Sequence, residues 1–173
     1  KVIANLILQE NKGASLGSVL DLGCGTGLAG LEVSASCEYL EGIDLSNSML
    51  EEAKNKKVYD KLIHQDIVEY LSNANLNFNY FLATDVFVYV GDILKVFELI
   101  KYRNKSVGRL ASSTEHSNVD AFYLQQSGRY AHSKKYIEDL CKNFDCKLKF
   151  FEKRNLRKEK DNFISGGVYI VEF

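Results

Sequence analysis

The sequence predicts an α/β fold built on a doubly wound, mostly parallel sheet. Three observations point there. Strand-like and helix-like segments alternate along the chain, a glycine-rich turn stands at the first strand-to-helix junction, and an acid recurs after each of the first four strands. The 173 residues are 46% hydrophobic and 26% charged, the balance of a globular protein, and residues 1–173 read as one domain. With 22 basic and 23 acidic residues the net charge is −1, which gives no global field for nucleic acid or an anionic membrane. No apolar run approaches the ~20 residues of a membrane span, and the start lacks a signal-peptide cleavage pattern. The first residue is not Met, which points to trimming ahead of Lys1. Four cysteines (Cys24, Cys37, Cys141, Cys146) without a CxxC pair read as the reduced thiols of a cytoplasmic protein. Proline and tryptophan are absent, leaving glycine as the only strong chain-breaker.

Val2 to Glu10 carries apolar residues at helical spacing. Ser18 to Gly23 is a short apolar strand, and Leu28 to Ala35 is the helix that follows. Tyr39 to Asp44 is a second strand; Ser46 then caps a helix with Met49, Leu50 and Ala53 on one face. Lys61 to Gln65 is a weaker third strand, followed by a short helix through Val68 to Leu71. After a polar loop at Ser72 to Asn77, Phe78 to Thr84 is the fourth strand, and Asp92 caps a helix through Leu94, Phe97 and Ile100. Val107 to Ser113 is the fifth strand, Glu115 to Ser133 reads as irregular, and Lys135 to Asn143 as helix. Cys146 to Lys153 alternates apolar and charged residues as a half-exposed strand does, and Gly167 to Phe173 closes the chain. That makes seven strands and about six helices. The link between the last two strands is too short for a normal crossover helix, so they form an antiparallel hairpin.

The most informative segment is Val19-Leu20-Asp21-Leu22-Gly23-Cys24-Gly25-Thr26-Gly27-Leu28. Three alternating glycines suit a turn of strained dihedrals that a ligand approaches closely, with the free N–H groups of a helix start ahead. Gly25-x-Gly27-x-x-Gly30 formally fits a dinucleotide fingerprint, with Asp44 as the ribose acid. Asp21 argues for a different ligand, because a carboxylate at the strand end repels a pyrophosphate and attracts a cationic amino-acid group.

The frame hydrophobic-Asp21-x-Gly23-x-Gly25-x-Gly27 resembles the first motif of class I S-adenosyl-L-methionine (SAM) methyltransferases, which share a Rossmann-like fold. Gly42-Ile43-Asp44-Leu45-Ser46 resembles their second-strand motif, and His64-Gln65-Asp66-Ile67 their third. The resemblance implies that Asp21, Gly23, Gly25 and Gly27 hold the amino-acid end of SAM. It further implies that Asp44 takes the ribose hydroxyls, with Leu45 beside it, that Met49 and Ile67 cover the adenine, and that Asp66 accepts from its amino group. Asp21, Asp44, Asp66 and Asp85 stand 23, 22 and 19 residues apart, one β–α unit each, which places them at the carboxyl ends of consecutive strands. Ala83 to Asp92, with Ser127 to Ser133 and Leu156 to Glu159, is similar to the predicted methyltransferases described as TPR-associated. Their proline-containing turn before the fifth strand is here Lys101 to Val107, without proline.

The implied activity is methyl transfer from SAM, leaving S-adenosyl-L-homocysteine (SAH), with no metal. Alternatives are a SAM-binding sensor or partner-binding module without transferase activity and an NAD(P)-dependent reductase; Ser117, Tyr130 and Lys134 mimic the catalytic set of short-chain dehydrogenases. A general base is needed only where the acceptor is protonated, and Asp85, Tyr89, Glu115 and His132 are the candidates. Arg129 and Tyr130 are candidates for binding an anionic substrate. Only Tyr89 to Asp92 and Glu115 to Ser133 are available to build an acceptor pocket, which favours a small molecule over a macromolecule. The basic run Lys147 to Lys160, seven positive residues against two glutamates and no aromatic stacking platform, reads as a solvated face rather than a nucleic-acid site.

Overall fold

The computed structural model describes residues 2–159 and 162–173. The chain opens with α1 (Val2–Glu10), β1 (Gly17–Leu22) and α2 (Leu28–Val33). It continues through β2 (Cys37–Asp44), α3 (Asn47–Asn55), β3 (Lys61–His64), α4 (Ile67–Asn73) and β4 (Tyr80–Ala83). Next come α5 (Leu94–Arg103), β5 (Arg109–Ser117), β6 (Phe122–Leu124), β7 (Tyr130–Ser133), α6 (Lys134–Asn143), β8 (Lys147–Glu159) and β9 (Asn162–Glu172).

Parallel pairing runs in the order β3-β2-β1-β4-β5. β9 then lies antiparallel on β5, and β8 antiparallel on β9, so the expected hairpin closes the sheet. The chain leaves β3 at one edge and returns to β4 on the far side of β1. This reversal opens a crevice over the carboxyl ends of β1 and β4, where such sheets receive ligands.

Among the described residues the sheet has nine strands in place of the expected seven. All seven expected strands are present, and the additional two come from the segment read as irregular. β5 gives Arg109–Ser112 to β4 and then runs four residues beyond its expected end, where Glu115–Ser117 pair with β7. β6 folds back antiparallel on β7. This small hairpin therefore extends the sheet past the end of β4, above the crevice. The last two strands are also longer than expected, taking up most of the link between them.

Alternation along the central strands sorts the core into two layers. Leu20, Leu22, Phe81, Leu110, Tyr169 and Val171 face α4, α5 and α6, while Val19, Leu82, Ala111, Val168 and Ile170 face α1 and α2. Each such side chain, fully buried, contributes about 1.5–3 kcal/mol. Glu41 of β2 is 3% exposed and accepts from the hydroxyls of Tyr39 (2.7 Å) and Tyr70, with Lys61 Nζ at 3.4 Å. Those donors satisfy the carboxylate and tie β2 to β3 and α4.

The proline-free turn before β5 is stapled by Asn104. Its side-chain oxygen accepts from Phe78 N–H (2.8 Å), and its amide donates to Phe78 O (2.9 Å) and Ser106 O (2.7 Å). Asp92, the expected cap of α5, accepts from Leu94 N–H at 2.9 Å and from the Tyr136 hydroxyl at 2.8 Å. The Asn104→Ala variant is expected to lose about 2 kcal/mol of stability, seen as a fall in Tm of about 4–8 °C in thermal unfolding.

Candidate functional site

The glycine turn leaves β1 with three left-handed residues, Gly23 (φ +64°), Gly25 (φ +54°) and Gly27 (φ +80°). Each is a glycine for a different reason. A Cβ on Gly23 would collide with Val86, and one on Gly27 with Tyr59 and Ala53. A Cβ on Gly25 would meet no atom within 4 Å, so its backbone alone faces open space. The turn is pinned by Cys24 N–H to Ile43 O and Gly27 N–H to Cys24 O, both 2.9 Å.

Asp44, the last residue of β2, reaches across to this turn. Its Oδ2 accepts from Gly25 N–H and its Oδ1 from Ser46 N–H, both at 2.8 Å. Ser46 in turn caps α3, its hydroxyl accepting from Met49 N–H. Leu45 and Met49 are 66% and 44% exposed, apolar surface flanking this carboxylate. Asp66 caps α4 through Oδ1, which accepts from Val68 and Glu69 N–H at 2.8 and 3.0 Å; the residue is otherwise exposed, beside half-buried Ile67.

Asp21 sits beneath the turn, fully buried. Tyr59 O–H donates to its Oδ2 at 2.7 Å, and Oδ1 has no hydrogen-bond partner among the described residues. Burial raises its pKa to about 7; the Tyr59 hydroxyl opposes the shift, the Asp44 charge adds to it, and the Gly30 amide opposes it again. Asp21 thus meets whatever lies on the turn through its field, not through contact.

At the end of β4, Asp85 takes a left-handed backbone (φ +57°) held by its N–H on Ser113 Oγ at 3.1 Å. Desolvation pushes its carboxyl above the usual range; Arg129 counters this and Glu115 reinforces it. Arg129, on the β6–β7 loop, lies 3.7 Å from Glu115 Oε1, donates to the Tyr89 hydroxyl at 3.5 Å and covers the Tyr89 ring at 5.8 Å. Glu115 is 4% exposed and accepts from Gln125 Nε2. The structure therefore gathers Asp85, Tyr89, Glu115 and Arg129 at one place, under the extra hairpin.

It sets His132 and Tyr130 apart from them. His132 is fully buried between Phe122 and Tyr136, and its Nε2–H donates to Gly91 O at 2.8 Å, leaving the lone pair on a buried Nδ1; burial lowers its pKa. Tyr130 packs edge-on against Phe122 and closely over Gly91. The dehydrogenase-like set does not assemble either. Ser117 bonds Val119, Tyr130 serves packing, and Lys134 pairs with Glu138 while lying over the Phe151 ring. On β8, Lys149 pairs with Glu172 and Arg154 with Glu152, as on a solvated strand face.

Three residues that no motif marked complete the site: Tyr59 below the turn, Ser113 under Asp85, and Gln125 on Glu115; Val86, within the Ala83 to Asp92 segment, packs against Gly23. For Tyr59 alone a trace exists in the sequence, in the small residues Gly27, Gly30 and Gly42, whose Cβ positions its ring occupies.

A family profile described as a methyltransferase domain matches residues 14–162, so the chain belongs to that family. A SAM-dependent methyltransferase from Clostridium acetobutylicum ATCC 824 superposes with a TM-score of 0.75 at 20% identity, over 98% of this chain and 90% of that one. The N-methyltransferase NodS from Bradyrhizobium japonicum WM9, in complex with SAH, superposes with a TM-score of 0.77 at 14% identity, over 99% and 85%. These likenesses show the shared fold. Among curated proteins, the 18S rRNA (guanine-N(7))-methyltransferase of Bos taurus is 45% identical over 49 residues, 28% of this chain and 17% of that protein. The chain thus carries a methyltransferase domain, and solved structures that share its fold include some that hold SAH or SAM.

The residues present suit that group: an open glycine backbone, a strand-end carboxylate with oxygens turned to it, and exposed apolar side chains alongside. Asp44→Ala removes the carboxylate that holds Gly25 N–H and Ser46 N–H. It is expected to weaken SAH binding by tenfold or more, about 1.4 kcal/mol, in isothermal titration calorimetry.

Proposed function

We propose that residues 1–173 form one catalytic domain that binds SAM across the carboxyl ends of β1 to β4 and methylates a small-molecule acceptor beside β4 and β5. The observation that carries this reading is the row of strand-end acids, Asp21, Asp44, Asp66 and Asp85, around a turn whose three glycines are all left-handed. In this reading Gly25 and Gly27 offer backbone to the amino-acid end of SAM and Asp44 accepts from the ribose. Asp66 takes the adenine amino group on the oxygen its cap leaves over, while Leu45, Met49 and Ile67 cover the ring. Bound SAM supplies an electrophilic methyl group on its sulfonium. The protein's part is then to hold the acceptor in line and keep water away, worth up to ~7–11 kcal/mol in favourable cases.

Asp85 is the group we assign to the acceptor's proton. It is exposed, stands where the crevice meets the β6–β7 hairpin, and its raised pKa makes it a better base than an ordinary carboxylate. Glu115 and Tyr89 hold Arg129 in place beside it, and His132 fixes the Gly91 carbonyl, so we read these as positioning groups. The small size of the acceptor is supported by the charge there, since Arg129 is matched by Glu115 and lies in the field of Asp85. No helix of the described residues is long and apolar enough to cross a membrane, and their four cysteines are free, which supports a cytoplasmic place. The segments around Ala83 to Asp92 and Ser127 to Ser133 support a kinship with TPR-associated methyltransferases.

RNA is the second reading, favoured by the rRNA methyltransferase likeness and the basic face of β8. Thermal shift separates the ligands. SAH at ~100 times its Kd is expected to stabilise the protein by about 2.7 kcal/mol; stabilisation by NAD without SAH would overturn the assignment. Incubation with methyl-labelled SAM and pools of metabolites or RNA then identifies the acceptor class, and tight SAH binding with no labelled acceptor would favour a binding module. Asp85→Asn is expected to cut kcat by ~10²-fold or more for an acceptor protonated at working pH. Because the ionised carboxylate is the base, wild-type activity should rise with pH through the elevated Asp85 pKa.

A further inference from the structure

Tyr59 belongs to no motif, yet three glycines in and around the turn make room for it. Its ring occupies the space beside Gly27 of the turn, Gly30 of α2 and Gly42 of β2, so that a Cβ on any of the three would run into it. Its place is set from both sides. Lys57, at φ +55°, turns the chain back after α3, and Asp60 is tied to Leu40 of β2, its N–H donating to the Leu40 carbonyl (2.8 Å) and its side chain accepting the Leu40 N–H (2.7 Å). The hydroxyl thereby lands on Asp21 Oδ2. A residue needed only to fill this seat would have no use for that hydroxyl.

Among the described residues, the groups interacting with Asp21 include no cation. They are Asp44 from β2, Cys24 from the turn, Cys37 from the start of β2, the Gly30 amide from α2, and Tyr59 itself. Tyr59 keeps its proton, since burial and the adjoining carboxylate drive its pKa far above the ordinary value, so it remains a donor to Asp21 across the working range. The carboxylate under the turn is thus stabilised by one side-chain hydrogen bond and opposed by burial and by a second carboxylate. A cation arriving above the turn is the missing counter-charge.

We propose that Tyr59 is a positioning residue for cofactor binding, holding the Asp21 carboxylate beneath the glycine turn so that its charge answers a cationic ligand seated above. The inference rests on the SAM reading, and its test separates the two. SAH affinity is measured by calorimetry between pH 6 and 9 for the wild type, Tyr59→Phe and Asp21→Asn, each affinity being divided by that of Asp21→Asn to remove the ligand's own titration. The wild-type ratio is expected to fall as pH drops through about 7, where Asp21 takes up a proton. Tyr59→Phe keeps the ring in its glycine seat and removes the bond that favours the ionised carboxylate. Its ratio should fall at a pH higher by about one unit, giving several-fold weaker binding near neutrality and recovery at pH 9.

A loss by the same factor at every pH, or no loss, would reduce Tyr59 to packing and overturn the proposal. If Tyr59→Phe does not fold, the wild type and Asp21→Asn still decide, because a wild-type ratio that is flat with pH shows a carboxylate that does not answer the ligand. Absence of SAH binding by the wild type would overturn the SAM reading itself.

Discussion

The bond from Gly25 N–H to the Asp44 carboxylate is the contact on which the site depends. It forms only because β1 and β2 pair in a register that sets Asp21 opposite Gly42 and brings the end of β2 just past the end of β1. It also requires Gly25 in a left-handed conformation, so that its amide points sideways to β2 and not up the helix. The second oxygen of the same carboxylate takes Ser46 N–H and places the start of α3. One side chain therefore fixes the turn, the second strand end and the helix behind it, and a charge-assisted bond of this kind is about twice as strong as a neutral one.

The glycine turn and the strand-end acids were legible in the sequence because they are local. Gly23, Gly25 and Gly27 lie within five residues, and each acid stands within two residues of its strand's end, so strand spacing alone puts them along one edge. Tyr59 was not legible for the opposite reason. Its role is written in what is absent at Gly27, Gly30 and Gly42, and only folding brings those three gaps to one ring. The β6–β7 hairpin escaped because strands of three and four residues are too short to show a period. The ends of β8 and β9 escaped because register shifts between Leu148 and Phe150 and between Asn155 and Arg157 break the alternation that marks a strand.

The turn before β5 illustrates how a missing residue type is replaced by hydrogen bonding. A proline would stiffen such a turn through its fixed φ. Here Asn104 does so with one side chain, its amide and its oxygen engaging both backbone groups of Phe78 and the carbonyl of Ser106. The start of β4 is thus held to the end of α5.

At the acceptor end the arrangement of charge matters more than the presence of any one residue. Arg129 looks in the sequence like a receptor for an anion, but a guanidinium lying 3.7 Å from buried Glu115 and in the field of Asp85 is largely balanced before any ligand arrives. Two carboxylates around one cation leave a negative excess, which works against an anionic acceptor and in favour of a neutral or cationic one. Tyr89 lies 63% exposed beneath the same guanidinium, presenting a flat ring and a hydroxyl on this wall. Arg129, held between Glu115 and Tyr89, thus helps to fix the shape that the β6–β7 hairpin lends to the crevice.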